Sequence, residues 1–254
     1  MGEKLANKAW KNFEQSDGFR KAKLKFRQLT GKEPTFKLDV ALNTEDYSGW
    51  PVVADLIQEN DIVYSLGVCD DIKFDLKIIA DKQVQVFAFD PTPYSIDWIN
   101  SQQLPDSFHF YPWAASDSDG TFLLYPRVSR KGNQSKVMYS FHQQQDGGND
   151  KGISVDAFTL ETMVKKLGHK HIDILKMDIE GAEYGVIENL LASAIRPKMI
   201  LIEFHHRFKG IGKEKTIQAV NLLNKANYLI ASISATGREI CFVNDSFVNK
   251  SSII

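Results

Sequence analysis

From residue 61 onward the sequence predicts an α/β fold: a seven-stranded, mostly parallel sheet with a C-terminal antiparallel strand and helices on both faces. Three observations predict it. Short apolar runs alternate with helix-patterned stretches, the rhythm of a parallel sheet with right-handed crossovers. Ile172 to Met177 reads as a buried strand, and it ends in Asp178-Ile179-Glu180-Gly181-Ala182-Glu183, where a helix begins. Finally, Tyr228 to Ser232 and Glu239 to Val243 are separated by a turn that includes Ala235-Thr236-Gly237-Arg238, so they form an antiparallel hairpin that closes the sheet.

The elements follow in order. Residues 1–50 carry no strand signal and form an N-terminal helical arm or lid. Leu5, Ala9, Phe13, Phe19 and Leu24 fall at loose helical spacing, Asp17-Gly18 breaks the arm into two helices, and Pro34 begins an irregular link. Residues 51–254 form the sheet domain. Asp61 to Leu66 is its first strand, ended by Gly67, and Ile72 to Ala80 its first helix. Gln83 to Phe89 is the second strand, Tyr94 to Gln102 a helix, and Phe108 to Trp113 the third strand. An excursion at about 116–152 then interrupts the rhythm. Thr121 to Tyr125 adds a strand, whereas 127–150 is rich in Ser, Gln, Asn and Gly and reads as a mobile cover over the site. The rhythm resumes at Ile153-Ser154-Val155, with a helix over Thr159 to Leu167. The fourth main strand is Ile172 to Met177, its helix Ala182 to Ala192, the fifth strand Lys198 to Phe204, and the last helix Lys213 to Ala226.

Bulk properties exclude several function classes. The chain has 254 residues, is 43% hydrophobic and carries a formal net charge of −1, so no global field draws it to nucleic acid or an anionic membrane. The basic stretch from Lys4 to Arg27 reads as a solvated helix face. No apolar run reaches the roughly 18 residues of a membrane span, and Met1 to Asn12 is too polar for a secretory signal. Cys69 and Cys241 fit no metal spacing and read as small, buried, reduced thiols. These features point to a cytoplasmic protein; oligomeric state is not legible.

Candidate site residues gather where strands end, because ligands of open α/β sheets bind beyond the carboxyl ends. Gly67 lets backbone approach a ligand, and Asp70 or Asp71 offers negative charge there or caps the following helix. Asp90, about 20 residues on, is placed to accept hydrogen bonds from a ribose diol. Trp113 and Ala114 can flank a base. Asp178 and Glu180 follow the fourth strand, while Glu183 suits the helix dipole. Lys176 points to the other face or snorkels. Glu203-Phe204-His205-His206 ends the neighbouring strand, so the acids and one histidine converge for proton transfer. A divalent metal is chemically possible from such groups, but no diagnostic ligand spacing appears, and direct acid/base use is the expectation.

Together the segment Asp173 to Glu183, Phe87-Ala88-Phe89-Asp90-Pro91, Trp113-Ala114-Ala115-Ser116-Asp117 and Val155-Asp156-Ala157-Phe158 resemble the FkbM-type methyltransferases, within the class I S-adenosylmethionine-dependent superfamily. The resemblance spans about Ile62 to Glu203. It implies a Rossmann-like fold, S-adenosylmethionine as methyl donor (S-adenosylhomocysteine as product) and methyl transfer to a hydroxyl of a small molecule or sugar. Asp178, Glu180, His205 and His206 are the candidate proton acceptors. Ser65, Gly67, Asp70, Asp71, Asp90, Trp113, Ala114 and Asp178 are the candidate cofactor contacts. The family's first loop usually carries two glycines and an earlier aspartate, where this chain has Ser65 and Gly67 alone. Contact to the methionine amino group then falls to Asp70 or Asp71. A nicotinamide-dependent oxidoreductase would need Gly-x-Gly-x-x-Gly after the first strand, which Gly67-Val68-Cys69-Asp70-Asp71-Ile72 does not supply. A non-catalytic protein on a methyltransferase frame rests on Ser65 alone. Nucleic-acid methylation lacks a base-flipping motif or a basic-aromatic groove.

Overall fold

The structure is a computed structural model and describes residues 16–128, 134–140 and 152–254. Helix α1 (Asp17–Leu29) is capped by Ser16, whose hydroxyl oxygen accepts from the Phe19 N–H at 3.4 Å. Strands β1 (Glu45–Tyr47) and β2 (Trp50–Val52) pair antiparallel round Ser48-Gly49, both at positive φ, as a two-residue hairpin turn requires. Strands of three residues are too short for an alternation pattern, so this hairpin escapes the sequence. It straddles the expected boundary between 50 and 51.

The domain that follows has β3 (Ile62–Leu66), α2 (Lys73–Lys82), β4 (Gln85–Phe89), α3 (Pro93–Asn100) and β5 (Phe108–Tyr111). After β6 (Ala114–Ala115), β7 (Gly120–Val128), β8 (Gln134–Ser140) and β9 (Ile153–Phe158) come α4 (Leu160–Leu167), β10 (Ile174–Met177), α5 (Glu183–Ala192), β11 (Met199–Glu203), α6 (Lys213–Lys225), β12 (Tyr228–Ile233) and β13 (Glu239–Asn244). The central sheet has seven strands in the order β12-β13-β11-β10-β3-β4-β5. Only β13 runs antiparallel to its neighbours, between β11 and β12. The mostly parallel sheet with an antiparallel last strand is thus as the sequence predicts.

Period-two alternation along these strands divides the core between the two faces. Leu66, Phe89, Leu175, Met177, Ile200 and Ile202 pack on one face; Val63, Val86, Ala88, Ile174 and Leu201 pack on the other. Burial on both faces explains why β10 and β11 read as continuous apolar runs. Lys176 shares the second face with Ser65, its register partner across β3. It does not snorkel: it is 4% exposed, and its ammonium lies 4.8 Å from the Trp50 ring and 5.9 Å from the Phe74 ring.

Three expectations change in detail. The third strand ends at Tyr111, and Ala114–Ala115 departs into a second sheet. Ile153 to Val155 belongs to that second sheet, of order β6-β9-β7-β8, and not to the central one. The excursion is therefore partly ordered as β7 and β8; residues 129–133 and 141–151, with the polar tip 143–149, lie outside the described residues, as does the arm over 1–15. Among the described residues no helix is long and apolar enough to cross a membrane.

Candidate active site

Register sets the site. Leu66 pairs with Phe89 on one side and with Met177 on the other, and Met177 pairs with Ile202. The next residue of each strand therefore forms one row along the carboxyl edge: Asp90, Gly67, Asp178 and Glu203. A cavity of about 230 Å³ opens on Asp90, Gly67 and Asp178 of that row, and Glu203 stands just outside its lining. Gly67, Asp71, Asp90, Trp113, Ala114, Lys176, Asp178 and Glu180 are among its lining residues. Ser48 and Trp50 of the β1–β2 hairpin and Leu124, Tyr139 and Ser140 of the second sheet cover it. Helix α1 contributes nothing to the lining, so among the described residues the cover over the cavity is the hairpin and the second sheet.

Gly67 is demanded first by the fold. Its φ is +85°, and a Cβ there would lie 1.8 Å from the Asp178 carbonyl oxygen. Its N–H donates to the Phe89 carbonyl at 2.9 Å. Cys69, also at positive φ, is not a buried core thiol as the sequence suggests; it lines the cavity, and burial with the adjacent Asp70 pushes its thiol up to about 12. Asp90 is 6% exposed and clamps the two loops. Its Oδ2 accepts the N–H groups of Val68 at 3.0 Å and Cys69 at 2.9 Å. Its Oδ1 accepts the Thr92 N–H at 2.9 Å and the Thr92 hydroxyl at 2.6 Å. Four acceptor positions are what a carboxylate has. The Thr92 hydroxyl proton has an alternative acceptor, however, in Ser95 Oγ at 2.8 Å.

The two loop aspartates separate. Asp71 lines the cavity; its Oδ1 accepts the Lys73 N–H at 2.9 Å and its Oδ2 pairs with the Lys73 ammonium at 2.8 Å. Asp70 turns away and receives the Tyr94 hydroxyl at 3.0 Å. Ser65 is fully buried under the loop and does not reach the cavity. Beneath it lies Asp75 of α2, 1% exposed, which sequence reasoning missed. Burial raises the Asp75 pKa, and the Lys176 ammonium opposes that rise. Trp113 is one member of an aromatic stack, 4.9 Å from Tyr111 and 6.1 Å from Phe89, and with Ala114 it forms the apolar wall.

At the opposite end sit the acids. Glu180 adopts φ +52°, a strained conformation for a side-chain-bearing residue. Burial raises its pKa, opposed in part by His205, and its Oε2 is buried without a hydrogen bond. His205 lies behind the cavity with its side chain 3% exposed. Its Nε2 is 3.5 Å from Asp178 Oδ1 and 3.9 Å from Glu180 Oε2; its Nδ1 is 3.4 Å from Glu183 Oε1. Burial works against its charge, but Glu183, Asp178 and Glu180 outweigh it and raise the imidazole to about 9. Glu183 does more than complement a helix dipole: fully buried, it accepts the N–H groups of Gly181 at 2.8 Å and His205 at 2.7 Å and so fixes both loops. Glu203 was also missed. Burial, with Asp178 nearby, raises its carboxyl to about 7, against the pull of Arg238.

His206 does not join this group. It hydrogen-bonds Glu33, which is 3% exposed and also pairs with Arg27 and Arg207, each at 2.6 Å. Burial pushes Glu33 up, but Arg207, His206 and Arg27 hold it below the usual carboxylate value. This network anchors the segment after α1 to the loop after β11. Only a partner 173 residues away in sequence decides that the second histidine is structural.

No curated protein matches the chain. Among solved structures it is similar to methyltransferase FkbM from Methylobacillus flagellatus, at 12% identity and TM-score 0.47, covering 80% of this chain and 48% of that one. It is also similar to Aeropyrum pernix fibrillarin in complex with natively bound S-adenosyl-L-methionine, at 9% identity and TM-score 0.40, covering 74% of this chain and 66% of that one. A putative rRNA-methylase from Clostridium thermocellum aligns at 10% identity and TM-score 0.42, covering 75% and 90%. The chain spans about half the length of the Methylobacillus protein. The family model described as the methyltransferase FkbM domain matches residues 51–230, well over half of the sequence. The chain therefore belongs to the FkbM methyltransferase domain family.

Proposed function

We propose that this protein is an S-adenosylmethionine-dependent methyltransferase acting on a hydroxyl oxygen of a small molecule or sugar. The observation that carries the reading is the row Asp90, Gly67, Asp178 and Glu203, with an apolar wall at one end of its cavity and carboxylates at the other. The residues fit the donor. Trp113 and Ala114 suit its adenine. Asp90 suits the ribose diol once the Thr92 hydroxyl turns its proton to Ser95, which frees one lone pair on Oδ1. The Lys176 ammonium suits the methionine carboxylate, and Asp71 its ammonium.

The bound donor would supply a methyl group on a sulfonium. Transfer to a hydroxyl would release the sulfonium as a neutral thioether carrying the S–C electron pair, and the hydroxyl proton would pass to the protein. Glu180 is suited to take it, because burial makes its carboxylate more basic. With no cation bound beside it, His205 instead carries the charge that balances the acids. Alignment and exclusion of water supply much of the rate in such displacements. The test is calorimetric titration of wild type and Asp90→Ala with S-adenosylmethionine and S-adenosylhomocysteine. Micromolar binding to the wild type, weakened at least tenfold in the variant, is expected. Absence of binding to either ligand refutes the reading in favour of a non-catalytic frame.

A further inference from the structure

We propose that Asp178, Glu203 and His205 hold one divalent transition-metal cation beside the cavity, on the side that Asp178 lines. One ligand atom from each residue lies within 4.8 Å of the others. The sheet fixes this convergence. Asp178 and Glu203 follow paired residues of adjacent parallel strands, and His205 comes two residues later.

A second observation points to a guest. The His205 side chain is 3% exposed, yet its buried Nδ1 completes no hydrogen bond among the described residues. Its Nε2 is aimed at Asp178 Oδ1 at 3.5 Å and toward Glu180 Oε2 at 3.9 Å, and the latter atom is buried and also lacks a hydrogen bond. On the far side of the ring, Glu183 Oε1 stands 3.4 Å from Nδ1 and accepts the His205 N–H, while Oε2 of the same carboxylate accepts the Gly181 N–H. A carboxylate behind an imidazole whose other nitrogen faces acids is the outer arrangement that orients metal-bound histidines. The Arg238 pair with Glu203 and the Arg127 guanidinium, 3.8 Å from Glu180, partly offset the acids without reaching His205.

One imidazole with two carboxylates favours Mn²⁺, Fe²⁺ or Zn²⁺ over Mg²⁺ and Ca²⁺, which prefer oxygen alone. Resting on the methyl-transfer reading, the cation's task is to bind the acceptor hydroxyl, with a neighbouring oxygen on the same molecule, and to lower the hydroxyl pKa. The acceptor class is then a vicinal diol or a hydroxyl beside a carbonyl.

The test begins with chelator-treated protein and no cofactor. It is titrated with Mn²⁺ by calorimetry and by loss of the free Mn²⁺ paramagnetic signal, then with Mg²⁺. Expected are one Mn²⁺ site per chain, at least tenfold weaker Mg²⁺ binding, and at least 100-fold weaker Mn²⁺ binding in Asp178→Asn and His205→Gln. Asp70→Asn, outside the cluster, keeps the wild-type affinity. The wild-type titration stands whether or not a variant folds. No stoichiometric site, equal Mg²⁺ and Mn²⁺ affinities, or undiminished binding in folded His205→Gln overturns the proposal. The same samples are titrated with S-adenosylhomocysteine. Cofactor binding without a Mn²⁺ site defeats the metal and leaves methyl transfer standing; a Mn²⁺ site without cofactor binding supports the metal and defeats methyl transfer.

Discussion

The loops after β3 and β4 and the loops after β10 and β11 occupy the same edge of one sheet, yet they are finished differently. In the first pair every acceptor position of Asp90 is filled from within the chain. In the second, His205 and Glu180 carry buried atoms with no hydrogen bond at the site itself, whereas in the first such atoms lie beneath the loop, at Ser65 and Asp75; positive φ occurs in both, at Cys69 and Glu180. A satisfied buried polar group stabilises its surroundings, whereas an unsatisfied one costs about 1–3 kcal/mol. The filled half is a scaffold that keeps its shape without a ligand. The unfilled half has interactions in reserve for what enters.

Substitutions can break this contrast. Gly67→Ala carries the largest expected effect, because its Cβ meets the Asp178 carbonyl at 1.8 Å across the row that joins the halves. Steric conflict and the left-handed backbone together predict a loss of about 4 kcal/mol in urea denaturation. Wild-type stability would show that the two halves move apart freely, and the contrast would fail.

Glu33→Gln comes next, as a test that filled networks are what stabilise this molecule. It breaks a buried carboxylate paired with two arginines and hydrogen-bonded to His206, and predicts a loss of about 3 kcal/mol at neutral pH. The sign with pH follows from the depressed Glu33 pKa. Its contribution is complete above the ordinary value of 4.5 and is lost as pH falls through the lower folded value. Denaturation of both proteins as a function of pH should therefore converge below about pH 4.5. A constant gap down to strongly acid pH would assign the stability to packing instead.

The smallest stability effect belongs to the unfilled half. Glu180→Gln removes a charge that burial disfavours, so stability should change by less than about 1 kcal/mol. Turnover with an acceptor found by screening should fall roughly 100-fold if this carboxylate takes the proton. A large loss of stability with full turnover would reverse the roles given to the two halves.

The central sheet was legible because burial on both faces writes itself as apolar runs such as Ile174 to Met177 and Met199 to Ile202. The segment Asp178 to Glu183 was legible because acids after such a run have no use in the core. What the sequence could not tell is which of two adjacent histidines turns inward. His206 is claimed by Glu33 and His205 by Glu183, and both choices depend on contacts made only once the sheet exists. Glu203 stayed hidden as the last residue of a strand, and Asp75 because a lone acid in a helix pattern reads as solvated. The convergence of Asp178, Glu203 and His205 escaped linear spacing for the same reason, since the two acids meet through strand register and not through a motif.

The position of β13 has a consequence in time. The strand is the last of the seven to leave the ribosome, yet it lies inside the sheet, flanked by β11 and β12. Until residues 239–244 have been synthesised, β11 presents an open hydrogen-bonding edge immediately beside the row that carries Glu203. The β10–β11 half is thus completed only when a late segment slots between two strands already made. Nascent chains of this protein spend their most vulnerable interval with that edge bare, and a chaperone holding the emerging chain would have most to protect there.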